Sequence, residues 1–231
     1  MDNRTAFLAT IAQALGRGPR NTPDARPAPA HNYAQSRLTE LSQQQRCDAF
    51  IDVASTVMLV QCELTREEDA PAAVLRLCEQ YSQQPVVVSG DARLAATGIT
   101  ARLQEACRAT VWDPQAGEQN IRLAEQAKVG VVFADYGLTE SGGVVLFSAA
   151  ERGRAISLLP ESSIFVLRKS TILPRVAQLA TQLHALSQQG KRMPSCINII
   201  GGPSSTADIE LIKVVGVHGP VNAAYVIIED C

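Results

Sequence analysis

The chain has 231 residues, 46% of them apolar, with 21 Lys+Arg against 23 Asp+Glu and a formal net charge of -2. That length carries a sizeable core, as one large α/β domain or two small ones, and the apolar share excludes an intrinsically disordered chain. Nucleic-acid binding needs a concentrated positive surface to neutralise phosphates, and a balanced charge without a basic run excludes it.

In chain order, Asp2 or Asn3 caps a first helix whose apolar residues Phe7, Leu8, Ile11, Ala14 and Leu15 share one face, and Gly16 and Gly18 end it. This start is interrupted by Thr10 and Gln13 and lacks the continuous core of a signal peptide. No later apolar run nears the roughly 20 residues that span a bilayer, so a cytoplasmic location without a transmembrane segment is expected. Pro19, Pro23, Pro27 and Pro29 then favour extended backbone. The expected organisation is an N-terminal helix over 1–17, a Pro-rich linker over 18–33 and an α/β domain over 34–231. The helix either packs on its own domain or serves as an arm for another subunit.

In the body, helix is expected through Leu38, Leu41 and Phe50, strand over 56–60, and helix over 70–83. A strand buried on both faces follows at Val86, Val87 and Val88, as in a parallel sheet. Helical segments over 93–107 break near Gly98, and a helix over 118–128 leads into a strand over 129–134. Apolar runs at 144–147, 155–159 and 164–167 read as successive strands. Helix over 171–188 ends at Gly190, and strands over 197–200, 211–217 and 225–228 complete the set. The reading is an α/β fold with a mixed, largely parallel sheet flanked by helices.

Two glycine-bearing loops are the places for chemistry. The first carries Asp135, Gly137, Thr139, Glu140, Ser141, Gly142 and Gly143 directly after an apolar strand. Ligands of open α/β sheets collect at such strand ends, and Glu140 is the residue best placed as base or nucleophile. A hairpin turn, with Asp135 and Glu140 solvated or capping amides, accounts for the same residues. The second loop carries Gly202, Ser204, Ser205, Thr206 and Asp208, where a hydroxyl caps a turn or free amides hold an anion. His218 follows in a Gly-Pro turn, as a titrating group near neutral pH or as a structural hydrogen-bonder. The P-loop pattern is absent, and so is the nucleophile elbow that a hydrolase triad of Ser204, Asp208 and His218 would need. Cys47, Cys62, Cys78, Cys107, Cys196 and Cys231 are dispersed without a C-x-x-C pair, so each reads as a small core residue and no metal centre is expected in this chain.

Thr139-Glu140-Ser141-Gly142-Gly143, Leu158-Leu159-Pro160, the block from Gly202 to Glu210 and Gly216-Val217-His218-Gly219-Pro220 together resemble the lactate-utilisation protein C family, whose domain is called the LUD domain. The resemblance spans roughly residues 40–231. It implies a fold like that of ribose-phosphate isomerases, glucosamine-phosphate isomerases and coenzyme A transferases. It implies a subunit without its own redox centre, working with two cysteine-rich iron–sulfur proteins that oxidise L-lactate to pyruvate, with the clusters held by those partners. From their places in these loops, Glu140 and His218 are the expected catalytic residues, and the remaining named residues of both loops are expected to face a small carboxylate. In the coenzyme A transferases, a glutamate in a Ser-Glu-Asn-Gly loop attacks a thioester, and Glu140 sits in a similar loop whose flanking residues differ. Two further readings are an isomerase or acyl-transferase using Glu140, and a purely structural assembly module.

Overall fold

The computed structural model describes all residues except 1, 2, 21, 23, 24, 26, 82, 83, 191 and 208–210. The expected caps and contacts at Asp2 and Asp208 and the helix end at Gln83 therefore lie outside the described residues. Residues 1–32 form one compact unit and 33–231 another. The first holds helix α1 (Asn3–Ala14), on which Phe7 is exposed, as is Leu15 just past its end; Gly16 follows at φ +63°.

The larger unit opens with α2 (Tyr33–Ser36) and α3 (Gln43–Thr56). Ser42 and Gln45 cap α3 reciprocally, side chain to backbone, which satisfies two amides that the helix start would leave bare. Then come β1 (Gln61–Arg66), α4 (Ala70–Gln80), β2 (Val86–Val88), α5 (Ala92–Ala96), α6 (Ile99–Cys107), β3 (Thr110–Val111), α7 (Glu118–Gln126) and β4 (Val129–Phe133). The chain continues through β5 (Tyr136–Leu138), β6 (Gly143–Phe147), α8 (Ala155–Leu158), β7 (Ser162–Arg168), β8 (Ile172–Leu173) and α9 (Val176–Gln188). It closes with β9 (Ile197–Ile200), β10 (Ser205–Thr206), β11 (Val214–Val215) and β12 (Asn222–Glu229). None of the described helices is long and apolar enough to cross a membrane.

Six strands form one sheet in the order β1-β12-β7-β4-β2-β3, every neighbouring pair parallel. A second sheet, β8-β5-β6-β9, carries the antiparallel pairs β5–β6 and β6–β9; of the runs at 144–147 and 164–167 only the first lies in it, the second being the parallel strand β7. Period-2 alternation divides the main sheet's side chains between two cores. Val86, Val88, Val131, Phe133, Val166 and Val226 pack against α4, α5 and α6. Val87, Val132, Phe165, Tyr225 and Ile227 pack on the other face against α3, α8 and the second sheet. The second sheet in turn buries Leu138 and Val145 against Leu179 of α9. The architecture is thus a parallel sheet with helices on one face and helices plus a small mixed sheet on the other.

Five sequence expectations are corrected. The helix expected through Leu38, Leu41 and Phe50 is broken, since Leu38 turns at φ +63° after α2 and helix resumes only at Gln43. Residues 56–60 are not a strand: buried Cys47, Phe50 and Ala54 keep the chain helical to Thr56, Leu59 turns at φ +60°, and pairing begins at Gln61. The run expected as a strand over 155–159 forms the short α8 (Ala155–Leu158) instead, since a brief apolar run fits helix and strand equally. The helix expected from 171 begins at Val176, because Pro174 disfavours helical backbone at Leu173 and residues 172–173 pair instead with β5. Only Val214–Val215 pair within 211–217; Leu211 takes φ +60° and is 92% exposed, which no buried strand allows.

Candidate functional site

The strand order places a topological switch point between β2 and β4. The chain leaves β2 towards β3 at one edge and leaves β4 towards β7 in the opposite direction, so a crevice opens beyond their carboxyl ends. Open α/β sheets bind ligands at such a crevice.

Charged residues fill it. Asp91, just past β2, caps α5 by accepting from the Arg93 amide, and its carboxylate also takes the Arg93 guanidinium at 2.6 Å. Arg93 lies over the Phe133 ring at 4.6 Å, donates to the Phe133 carbonyl and reaches Asp135 at 3.1 Å. Asp135, just past β4, accepts from the Phe147 amide at 2.6 Å and from Arg152 Nη1 at 3.0 Å. Two carboxylates and two guanidiniums from three separate segments thus form one ion cluster.

Neighbouring strand ends carry Arg152 there. The Gly90 amide donates to the Glu151 carbonyl, the Trp112 indole donates to the Ala150 carbonyl, and a side chain at Gly153 would collide with the Trp112 ring. Burial raises the Asp91 carboxyl, but its hydrogen bonds to Arg93 and the charges of Arg93 and Arg152 outweigh that and hold it below the ordinary value. Burial likewise opposes charge on Arg93, and Asp91 and Asp135 more than restore it.

The glycine loops meet elsewhere. Antiparallel pairing of β6 with β9 brings Gly143, where β6 starts, beside Ile200, where β9 ends. Both loops press on the carboxyl end of α3: a side chain at Gly142 (φ +62°) would come within 2.7 Å of the Ala54 amide, and one at Gly202 (φ +76°) would overlap the Met58 carbonyl. Left-handed backbone and close approach together require glycine at both positions.

Gly137 packs on Leu167, Ile172 and Phe50, and buried Thr139 donates to the Arg46 carbonyl. Ser141 accepts from the Gly143 amide, closing the turn on itself. Glu140 is held by Arg175 at 2.7 Å and Arg37 at 3.5 Å. Ser204 exchanges backbone hydrogen bonds with Pro220 and Gly216, and Ser205 and Thr206 form β10. Ser204, His218 and Gly202 line a cavity of about 370 Å³ floored by Phe165, Ile200 and Ala223, with Ser157 and Ser163 on its wall. Glu140 does not line that cavity, whereas Ser157 also borders the crevice lined by Arg152.

Asp135 is the one expected site residue in the switch-point cluster. Asp91, Arg93 and Arg152 escape sequence reading because they share no motif. The one available signal was position: Ser89-Gly90-Asp91 directly follows a strand buried on both faces.

The LUD domain family model matches residues 48–228. YkgG of Escherichia coli (strain K12) is 69% identical over 231 residues, covering all of both chains. Lactate utilization protein C of Halalkalibacterium halodurans is 40% identical over all of this chain and 99% of that one. Lactate utilization protein C of Bacillus subtilis (strain 168) is 39% identical over all of this chain and 98% of that one. A crystal structure of a DUF162 family protein from Deinococcus radiodurans superposes with TM-score 0.56 at 17% identity, covering 81% of this chain and 99% of that one, which bears on the fold alone.

Proposed function

The chain belongs to the LUD domain family, and on that premise we propose that it acts in lactate utilisation as the subunit without a redox centre of an iron–sulfur system oxidising L-lactate to pyruvate. The observation that carries the reading is end-to-end similarity, at about 40% identity, to proteins named lactate utilization protein C. Two cysteine-rich iron–sulfur proteins are the proposed partners, and the cytoplasm the proposed compartment.

The cysteine chemistry supports this division of labour. Cluster ligation needs thiolates, and low thiol pKa values favour them. Burial instead pushes Cys47 up to about 11 and Cys62 and Cys78 each up to about 12. These side chains pack as small apolar groups in the two cores flanking the main sheet.

The test is purification of the tagged chain from cells grown on L-lactate. The expected result is co-purification of two iron-containing, cysteine-rich proteins, with the chain alone colourless and free of iron. Stoichiometric iron with visible absorption in the isolated chain would contradict the proposal.

A further inference from the structure

Beside the ion cluster lies a larger cavity, of about 530 Å³, between the end of β6, the start of β9, the carboxyl half of α9 and the loop that carries Arg152. Arg152 and Arg192 line it with Ser148 and Ser195, and among the described residues no carboxylate does. The rest of the lining is mainly apolar, chiefly Phe147, Leu186 and Met193.

Arg152 is anchored from behind. Its Nη1 is taken by Asp135 at 3.0 Å, while its Nε and Nη2 make no hydrogen bond among the described residues. One side of a planar five-donor fork is therefore fixed and the other is left for a ligand. That free edge matches the two oxygens of a carboxylate. The Arg192 guanidinium also has no ion-pair or hydrogen-bond partner among the described residues. The Ser148 hydroxyl is committed to the Cys196 backbone. The exposed Ser195 hydroxyl hydrogen-bonds only with Ser148 Oγ among the described residues, at 3.1 Å, and keeps capacity for a further bond.

We infer that this cavity binds a small organic monocarboxylate bearing a hydroxyl or oxo group next to the carboxylate, with Arg152 gripping the carboxylate, Arg192 adding charge and Ser195 meeting the hydroxyl or oxo oxygen. The choice of a 2-hydroxy or 2-oxo acid rests on the lactate reading above; the carboxylate site itself rests on the arginine geometry. Asp135 is a positioning residue, acting by orienting Arg152. A dense inorganic anion fits worse, because much of the wall is apolar and the free fork presents a flat pair of donors rather than a cradle of backbone amides.

The experiment is calorimetric titration of the full-length chain with L-lactate, pyruvate, propionate and inorganic phosphate, on wild type and on Arg152→Ala, Arg152→Lys and Arg192→Ala. Saturable binding of L-lactate or pyruvate is expected, weakened about tenfold or more in Arg152→Ala, as loss of a charge-assisted pair of hydrogen bonds implies. Arg192→Ala, at an exposed position, keeps the test valid should Arg152→Ala fail to fold, and is expected to weaken binding several-fold. No saturable carboxylate binding, tighter binding of phosphate than of any carboxylate, or unchanged affinity in folded arginine variants overturns the site. Propionate binding through Arg152 without lactate or pyruvate binding upholds the arginine fork but overturns the 2-hydroxy and 2-oxo assignment. Absent binding together with co-purified iron–sulfur partners removes the site and leaves the proposed role standing.

Discussion

The glycine loops and the switch-point crevice differ in how much of each is locked into the fold. In the loops, Gly142 and Gly202 are pressed against the backbone at the end of α3, Thr139 is buried on the Arg46 carbonyl, and Glu140 is tied to two arginines. In the crevice, the two acids and two guanidiniums balance in charge but not in hydrogen bonds: Arg152 keeps one unbonded edge of its fork beside a cavity with no acid among the described residues of its lining. A motif conspicuous in sequence can thus mark tight packing, while ligand chemistry collects where single residues from distant segments converge.

That contrast is sharpest for the glycines. Gly202→Ala and Gly142→Ala are expected to destabilise the fold by about 2–4 kcal/mol each, since left-handed backbone alone costs an ordinary residue roughly 1–2 kcal/mol and the new methyl meets backbone atoms. Thermal midpoints should fall by about 5–15 °C for a domain of this size. Near-neutral effects would mean the loops are not packed as described and would reopen them as a flexible binding site.

A smaller effect is expected from acid. The folded Asp91 carboxyl titrates below its unfolded value, so its contribution to stability is present above the ordinary carboxylate range and is lost as pH falls through the folded pKa. Urea midpoints measured from pH 6 downward should decline, and Asp91→Asn should lower the midpoint at pH 6 while flattening that decline. An unchanged slope would mean that the ion cluster is not coupled to folding.

The smallest stability effects belong to the two expected acid–base residues. Glu140→Gln should cost about 0.5–1 kcal/mol, as expected for a partly exposed ion pair, and His218→Asn, at an exposed turn, less than about 0.5 kcal/mol. Their turnover in the reconstituted lactate-oxidising complex then separates roles. A loss of about 10²–10⁴-fold at near-native stability is what general acid–base assistance implies. Unchanged turnover makes Glu140 a clamp on the β5–β6 turn and His218 part of the wall of the cavity it shares with Ser204.

Much of the fold was legible because periodicity reports burial. The continuous apolar runs at 86–88 and 129–133 are the strands covered on both faces, and the helical spacing of Val74, Leu75 and Leu77 matches the buried face of α4. Errors fell where a short apolar run fits either state, as at Ile156, or where exposure could not be foreseen, as at Leu211 and Ile212. At the candidate site, Asp135 was legible from its place after a strand. Arg152 was not, because its position depends on contacts of residues 150, 151 and 153 with Trp112 and Gly90, more than about 35 residues away in the chain.

The most direct test of the contrast between the two regions is to titrate isotopically labelled chain with L-lactate and map the amide chemical-shift changes. Saturating changes at residues 147–153 and 192–195, small at 139–143 and 204–218 and abolished in Arg152→Ala, are the predicted result. Saturating changes confined to the glycine loops and His218, indifferent to Arg152→Ala, would contradict it.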